Sequence, residues 1–389
     1  MKLLQEGFRW YGENDPVSLS EIVQCGASGV YTALHHIPYG EVWSRDEIRK
    51  RLDELAVYDL RWLAVESVPV SEDIKTRGPR CEEHLENYRQ TLINLAEEGV
   101  HTVIYNFMPV LDWIRTDLAH KLPDGTEALL FDPVHFAAFE IHILKRNGAE
   151  QDYTADQLEK AGAFFNAMDE AQRREFERSL IDVFPGCQLG LSVEELRNML
   201  EPYQQIDADT LRDNYRHFLS AVVPTAEAHG VKLAVHPDDP PFPVLGLPRI
   251  VSTENDLRTI VEMVPSMANG LCFCSGSLGA RLDNDLPGII DRLGEHIHAM
   301  HLRSVQHEGN GVFYEANHLE GSANLPALTA KLLERNQQRD IPLSFRPDHG
   351  HRMLDDLQKP TNANPGYDCL GRMRGLAEIR GLMHGLAAR

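Results

Sequence analysis

Nothing in this 389-residue chain approaches the roughly 18 consecutive apolar residues that a membrane-spanning helix needs. Positive charge is scarce as well. Against 59 Asp and Glu stand 38 Lys and Arg, a formal net charge of -21. A nucleic-acid backbone requires clustered cations, so it is disfavoured as a partner. An anionic small substrate would feel the same unfavourable field, unless local arginines or a metal reversed it inside the site. Cysteine is sparse: Cys25, Cys81, Cys187, Cys272, Cys274 and Cys369 are scattered along the chain. That spacing argues for reduced thiols rather than a disulfide framework, with room for one in a functional role. The stretch Met1 to Gly7 has no extended apolar region before a small-residue cleavage site, which predicts no signal peptide and a cytoplasmic protein. No Gly-x-Gly-x-x-Gly follows the first strand and no P-loop occurs. Ser275-Gly276-Ser277-Leu278-Gly279 resembles a phosphate loop only loosely.

What the chain does have is a rhythm of short apolar runs, turns and amphipathic segments, with a hydrophobic content of 42% that is ample for a large core. Strands are expected at Phe8–Gly12, Gly29–His35, Arg61–Val68 and Thr102–Met108, and again at Lys232–His236, Gly270–Cys274, His296–Arg303 and Pro342–Asp348. Eight strands alternating with helices predict an α/β fold, a (β/α)8 TIM barrel. The pattern breaks between strands 4 and 5, where Tyr153–Met168, Glu170–Phe184 and Val193–Tyr203 read as helices. We expect one catalytic domain over 1–389, with a helical insertion at 150–205 that packs its own core around Leu158, Ala161, Phe165 and Met168.

In such barrels chemistry sits at the C-terminal ends of the strands. Residues two apart in a strand share a face, so parity says which side chains look inward. On that rule the fifth strand delivers His236, the sixth Cys274 with Cys272 one layer deeper, the seventh His301 with Arg303, and the eighth Ser344, Arg346 and Asp348. His298 takes the opposite parity and reads as structural. Each of these residues alone has an ordinary explanation in packing or hydrogen bonding. Four converging on one mouth make a coherent metal site of two imidazoles, a thiolate and a carboxylate, suited to Zn2+, Fe2+ or Mn2+.

Several blocks, taken in order, resemble the mannonate dehydratase family along nearly the whole chain. They include Arg9-Trp10-Tyr11-Gly12, Thr32 to Pro38, Tyr105 to Val110, His236 to Pro241, Cys274 to Ser277, His301-Leu302-Arg303, Arg346 to His351 and Asn364 to Tyr367. The resemblance implies dehydration of D-mannonate to 2-keto-3-deoxy-D-gluconate in hexuronate catabolism. It also implies one Mn2+ or Fe2+ per subunit and a homo-oligomer, a dimer or larger. Carried over by motif, the metal ligands are His236, Cys274, His301 and Asp348, and the acid/base pair is His349 and Tyr367. Removing a proton beside a carboxylate builds up an enediolate dianion, which a Lewis acid stabilises, while one group takes the C2 proton and another protonates the departing C3 hydroxyl.

Three further residues are substrate-binding candidates. Arg303 and Arg346 share inward parity with ligands, and one is expected to fork onto the substrate carboxylate. The alternative is that both make internal ion pairs with Asp238, Asp239 or Glu66. Asn106 is placed to bind a sugar hydroxyl or to cap its loop. His35 and His36 read as rim residues and His351 as a support behind the site. The competing functions are a metal-dependent sugar isomerase on the same barrel, a DNA phosphodiesterase disfavoured by charge, and a non-catalytic sugar-acid binder.

Overall fold

A computed structural model describes residues 1–181, 191–360 and 364–388. Cys187 and the end of the helix expected to reach Phe184 lie outside the described residues. Eight parallel strands close a barrel: β1 (Gln5–Arg9), β2 (Gly29–Thr32), β3 (Arg61–Glu66), β4 (Thr102–Tyr105), then β7 (Lys232–Val235), β8 (Asn269–Cys274), β9 (Ile297–Leu302) and β12 (Ser344–Pro347). Six of the strands are shorter than expected, while β8 gains Asn269 and β1 lies three residues earlier than Phe8–Gly12. Inward parity holds where it was argued: Ala234, Cys272 and Ala299 fill one lumen layer with Tyr31, Ala64 and Ile104. His298 faces the helices instead, against β8, where a Cβ on Gly270 would lie 2.2 Å from its ring. Only glycine fits there.

The large apolar core lies between barrel and outer helices. Those helices start on side-chain caps where the sequence supplies them, as at Ser44 before Arg45–Ala56 and Thr253 before Glu254–Met263. Among the described residues, no helix is long and apolar enough to cross a membrane.

A second sheet is the main departure from expectation. Four antiparallel strands, β5 (Asp117–Lys121), β6 (Glu127–Phe131), β10 (Ser304–Gly309) and β11 (Val312–Ala316), assemble in the order β10-β11-β6-β5. Two of them follow β4 and two follow β9, so this sheet joins distant parts of the chain at the barrel mouth. The insertion helices, observed at Ala155–Ala167, Glu170–Ile181 and Val193–Leu200, do not pack a core of their own. Phe176, Leu180 and Leu196 share an apolar cluster with Phe131 of β6, Val305 of β10 and Phe313 of β11. Short amphipathic helices bury too little surface alone, so they complete the second sheet.

Candidate active site and metal centre

Three of the expected ligands meet at the mouth. His236 is the first residue past β7, and its N–H donates to the Tyr105 carbonyl at 2.9 Å. Cys274 ends β8 and caps the short helix Ser275–Gly279, with the Ser277 hydroxyl 3.2 Å from its Sγ. His301 sits opposite Cys274 in register and opposite Arg346 on the other side. One ring nitrogen each of His236 and His301 and the Cys274 sulfur all lie within 4.8 Å of one another. Asp348 stands beside this trio but outside its tight set. Its Oδ2 is 3.7 Å from Cys274 Sγ, and its two oxygens accept from Arg303 Nε at 2.8 Å, Arg346 Nη1 at 2.6 Å and Tyr367 Oη at 2.9 Å.

The donor set fits a divalent cation. His301 Nε2 is fully buried and 3.3 Å from Glu66 Oε2, a nitrogen that a cation could take as a ligand. Burial alone would push the Cys274 thiol up, but the Arg303 guanidinium and hydrogen bonds from His236 and His301 hold it well below the ordinary thiol range. Burial would lower His236, yet its bond to Cys274 and the nearby Asp348 and Glu66 carboxylates raise it to about 9. A low-pKa thiol against two imidazoles is ready to exchange protons for a metal. A second group, Cys81, Glu82 and His217, lies on the outer helices Cys81–Glu97 and Ala208–Ala228.

Around the trio runs a buried network of ion pairs. Arg303 gives Nη1 to both oxygens of Glu315, at 2.7 and 2.8 Å, Nη2 to Asp239 and Ser277, and Nε to Asp348. All its N–H groups are spent on the protein, leaving none for a substrate carboxylate in this arrangement. Arg346 forks onto Glu66 at 2.8 and 2.6 Å, reaches Asp348, and lies 3.2 Å from the Tyr367 hydroxyl. The internal ion-pair alternative is therefore the arrangement present for both arginines. Arg115 bridges Asp239 and Glu315, each at 2.6 Å. Burial would push Glu315 up, but Arg303, Arg115 and His349 hold it far below the carboxylate range.

His349 and Tyr367 lie together, ring centroids 5.0 Å apart and edge to face. His349 Nδ1 is 3.3 Å from Glu315 Oε1, and the Trp113 indole packs on the same imidazole with centroids 5.4 Å apart. His351 donates from Nε2 to the Glu315 carbonyl at 2.7 Å, bracing the strand behind the site. Asn106 Nδ2 donates to Asp112 Oδ2 at 3.0 Å. His35 pairs with Arg9, and the exposed His36 with Glu47.

Sequence reasoning missed Glu315, Arg115, Asp112 and Trp113. Glu315 belongs to β11, reached through Asn310-Gly311, a dipeptide typical of tight hairpins that was available as a signal. It also missed Arg249, a buried guanidinium whose Nε and Nη2 have no hydrogen-bond partner among the described residues.

Two imidazoles and an acidic thiol at the mouth of a parallel eight-stranded barrel define a metal-dependent enzyme of the (β/α)8 class. The comparisons narrow this further. The family model described as D-mannonate dehydratase (UxuA) matches residues 4–389. A mannonate dehydratase of Marinomonas sp. strain MWYL1 is 47% identical over 391 residues, covering 98% of this chain and 99% of that protein. One from Saccharophagus degradans is 42% identical over 389 residues, with 98% of each covered. The crystal structure of mannonate dehydratase from Streptococcus suis serotype 2 superposes with a TM-score of 0.78 at 30% identity, covering 100% of this chain and 95% of that one. The chain belongs to the mannonate dehydratase family of metal-dependent hydro-lyases.

Proposed function

We propose that the mouth formed by His236, Cys274, His301, Asp348, His349 and Tyr367 carries out the reaction of the family, dehydration of D-mannonate to 2-keto-3-deoxy-D-gluconate. The observation that carries this reading is the meeting of a ligand trio and a His–Tyr pair across one carboxylate, Asp348. A divalent ion, Mn2+ or Fe2+, held by His236, Cys274 and His301 beside Asp348 would act as a Lewis acid on the substrate oxygens and offset the charge left by the C2 proton.

The chain's own residues do the rest. Tyr367 is held by Arg346 and Asp348, and His349 is braced by Glu315 and Trp113, so each presents its polar atom in one orientation. In our reading these two move the protons: one takes the C2 proton, the other protonates the C3 hydroxyl as water departs. Arg303 and Arg346 act as fixed counter-charges that keep Cys274 and Asp348 ionised. The ion pair from Arg303, between β9 and β10, to Glu315 of β11 and the apolar cluster shared by second sheet and insertion support treating all three as one catalytic unit over 1–389. We place the enzyme in the cytoplasm, as a homodimer.

The test is formation of a 2-keto-3-deoxy acid from D-mannonate by the metal-loaded protein. His349→Asn and Tyr367→Phe should each remove turnover while leaving metal content unchanged. Exchange of the C2 proton with solvent should survive loss of the acid and vanish with loss of the base, which assigns the two roles. Full turnover in either variant contradicts the assignment.

A further inference from the structure

Two neighbouring residues after β4 hold buried polar atoms with no hydrogen-bond partner among the described residues: Asp112 Oδ1, an acceptor, and Trp113 Nε1, a donor. Native interiors leave few such atoms unsatisfied, and each carries a desolvation cost. Both residues stand at the reaction site. The register pairs Tyr105 with Val235, so Asn106 and His236 come next on adjacent strands, and Asn106 holds Asp112. On the far side the Trp113 indole meets the His349 ring. A cavity opens beside Asn106 and Asp112, walled by Ser67, Lys75 and, from the insertion helix Val193–Leu200, Met199.

The chemistry of the wall selects the occupant. Lys75 is neutralised by Glu72 at 2.6 Å, so it offers little net charge to an anion. Burial pushes the Asp112 carboxyl up to about 6, with Lys75 and His236 opposing; Asn106 already donates to Oδ2, and Oδ1 is the oxygen open to a donor from a ligand. A substrate carboxylate would be repelled here. A hydroxyl in this cavity can donate to the unpartnered Asp112 Oδ1.

We propose that Asp112, with Asn106, forms the subsite for the hydroxyls at the far end of the sugar-acid chain, fixing the direction in which the substrate lies and the chain length it prefers. This rests on the barrel mouth being the active site, as proposed above. Asp112 is then a specificity-determining residue and takes no part in proton transfer.

Steady-state kinetics of Asp112→Asn in the metal-loaded enzyme test it. The two ligands are D-mannonate and a shorter aldonate of the same C2 and C3 configuration lacking C5 and C6, read as KM or as an inhibition constant against mannonate. The KM for D-mannonate should rise about 10- to 100-fold, the range for a hydrogen bond to a charged group. Binding of the short acid should be unchanged, so the preference for the long chain collapses. Asn106→Ala keeps the carboxylate and should give a smaller rise, which guards against a folding defect in the first variant. A KM for D-mannonate within about twofold of wild type, or an equal loss for both acids, would overturn the proposal. Failure of the active-site reading itself looks different: His349→Asn would keep wild-type turnover.

Discussion

The barrel mouth and the sheet above it contribute different things to one site. The mouth contributes the proposed ligands, each from the end of a different strand: His236 after β7, Cys274 in β8 and His301 in β9, with Asp348 after β12 beside them. The second sheet contributes counter-charge and cover, through Glu315 of β11 and through Arg115 and Trp113 just before β5. Arg303 is the single residue between β9 and β10, so it stands where barrel becomes second sheet, and it pairs with Asp348 on one side and Glu315 on the other. A mouth rich in acids and arginines is therefore held in shape by a sheet that contributes none of the proposed ligands.

The sharpest way to break that comparison is Glu315→Gln. It leaves Arg303 and Arg115 buried with too little negative charge, and should cost about 3–5 kcal/mol of stability by urea denaturation, with activity falling as well. If the second sheet were mere cover, the change would be silent. Next is Phe313→Ala, which empties the cluster shared by second sheet and insertion. A cost of about 3 kcal/mol is expected. Metal content should stay at wild-type level, because no ligand is touched.

A pH series separates the regions further. Burial holds His318, beyond β11, down to about 4, and His298, behind the barrel wall, down to about 3. The unfolded chain binds these protons near pH 6.5 and the folded chain does not, so stability present above pH 6.5 is lost as pH falls toward 4. The His318→Gln variant should lose less stability between pH 7 and pH 5 than wild type. Smallest of all is Lys160→Ala in the insertion, whose partner Asp156 is exposed; neither urea midpoint nor turnover should move.

The mouth was legible in the sequence because strand parity is local information. Knowing that Leu233 and Val235 face out is enough to turn His236 inward, and the same logic separates His301 from His298. The second sheet was not, although Asp124-Gly125 and Asn310-Gly311 mark both its hairpins. β10 follows β9 after one residue, so the two strands read as a single run. β5 is polar and half exposed, with no alternation to reveal it. The pairing of Arg115 with Asp239 and Glu315 joins residues far apart in the chain, and no local pattern encodes it.

The most direct measurement is anomalous scattering from a crystal of metal-loaded protein soaked with D-mannonate. The account predicts a single strong peak about 2.0–2.3 Å from the His236, Cys274 and His301 donor atoms, with the substrate's hydroxyl tail directed toward Asp112. A peak only at Cys81, Glu82 and His217, or no peak at the barrel mouth, would contradict it.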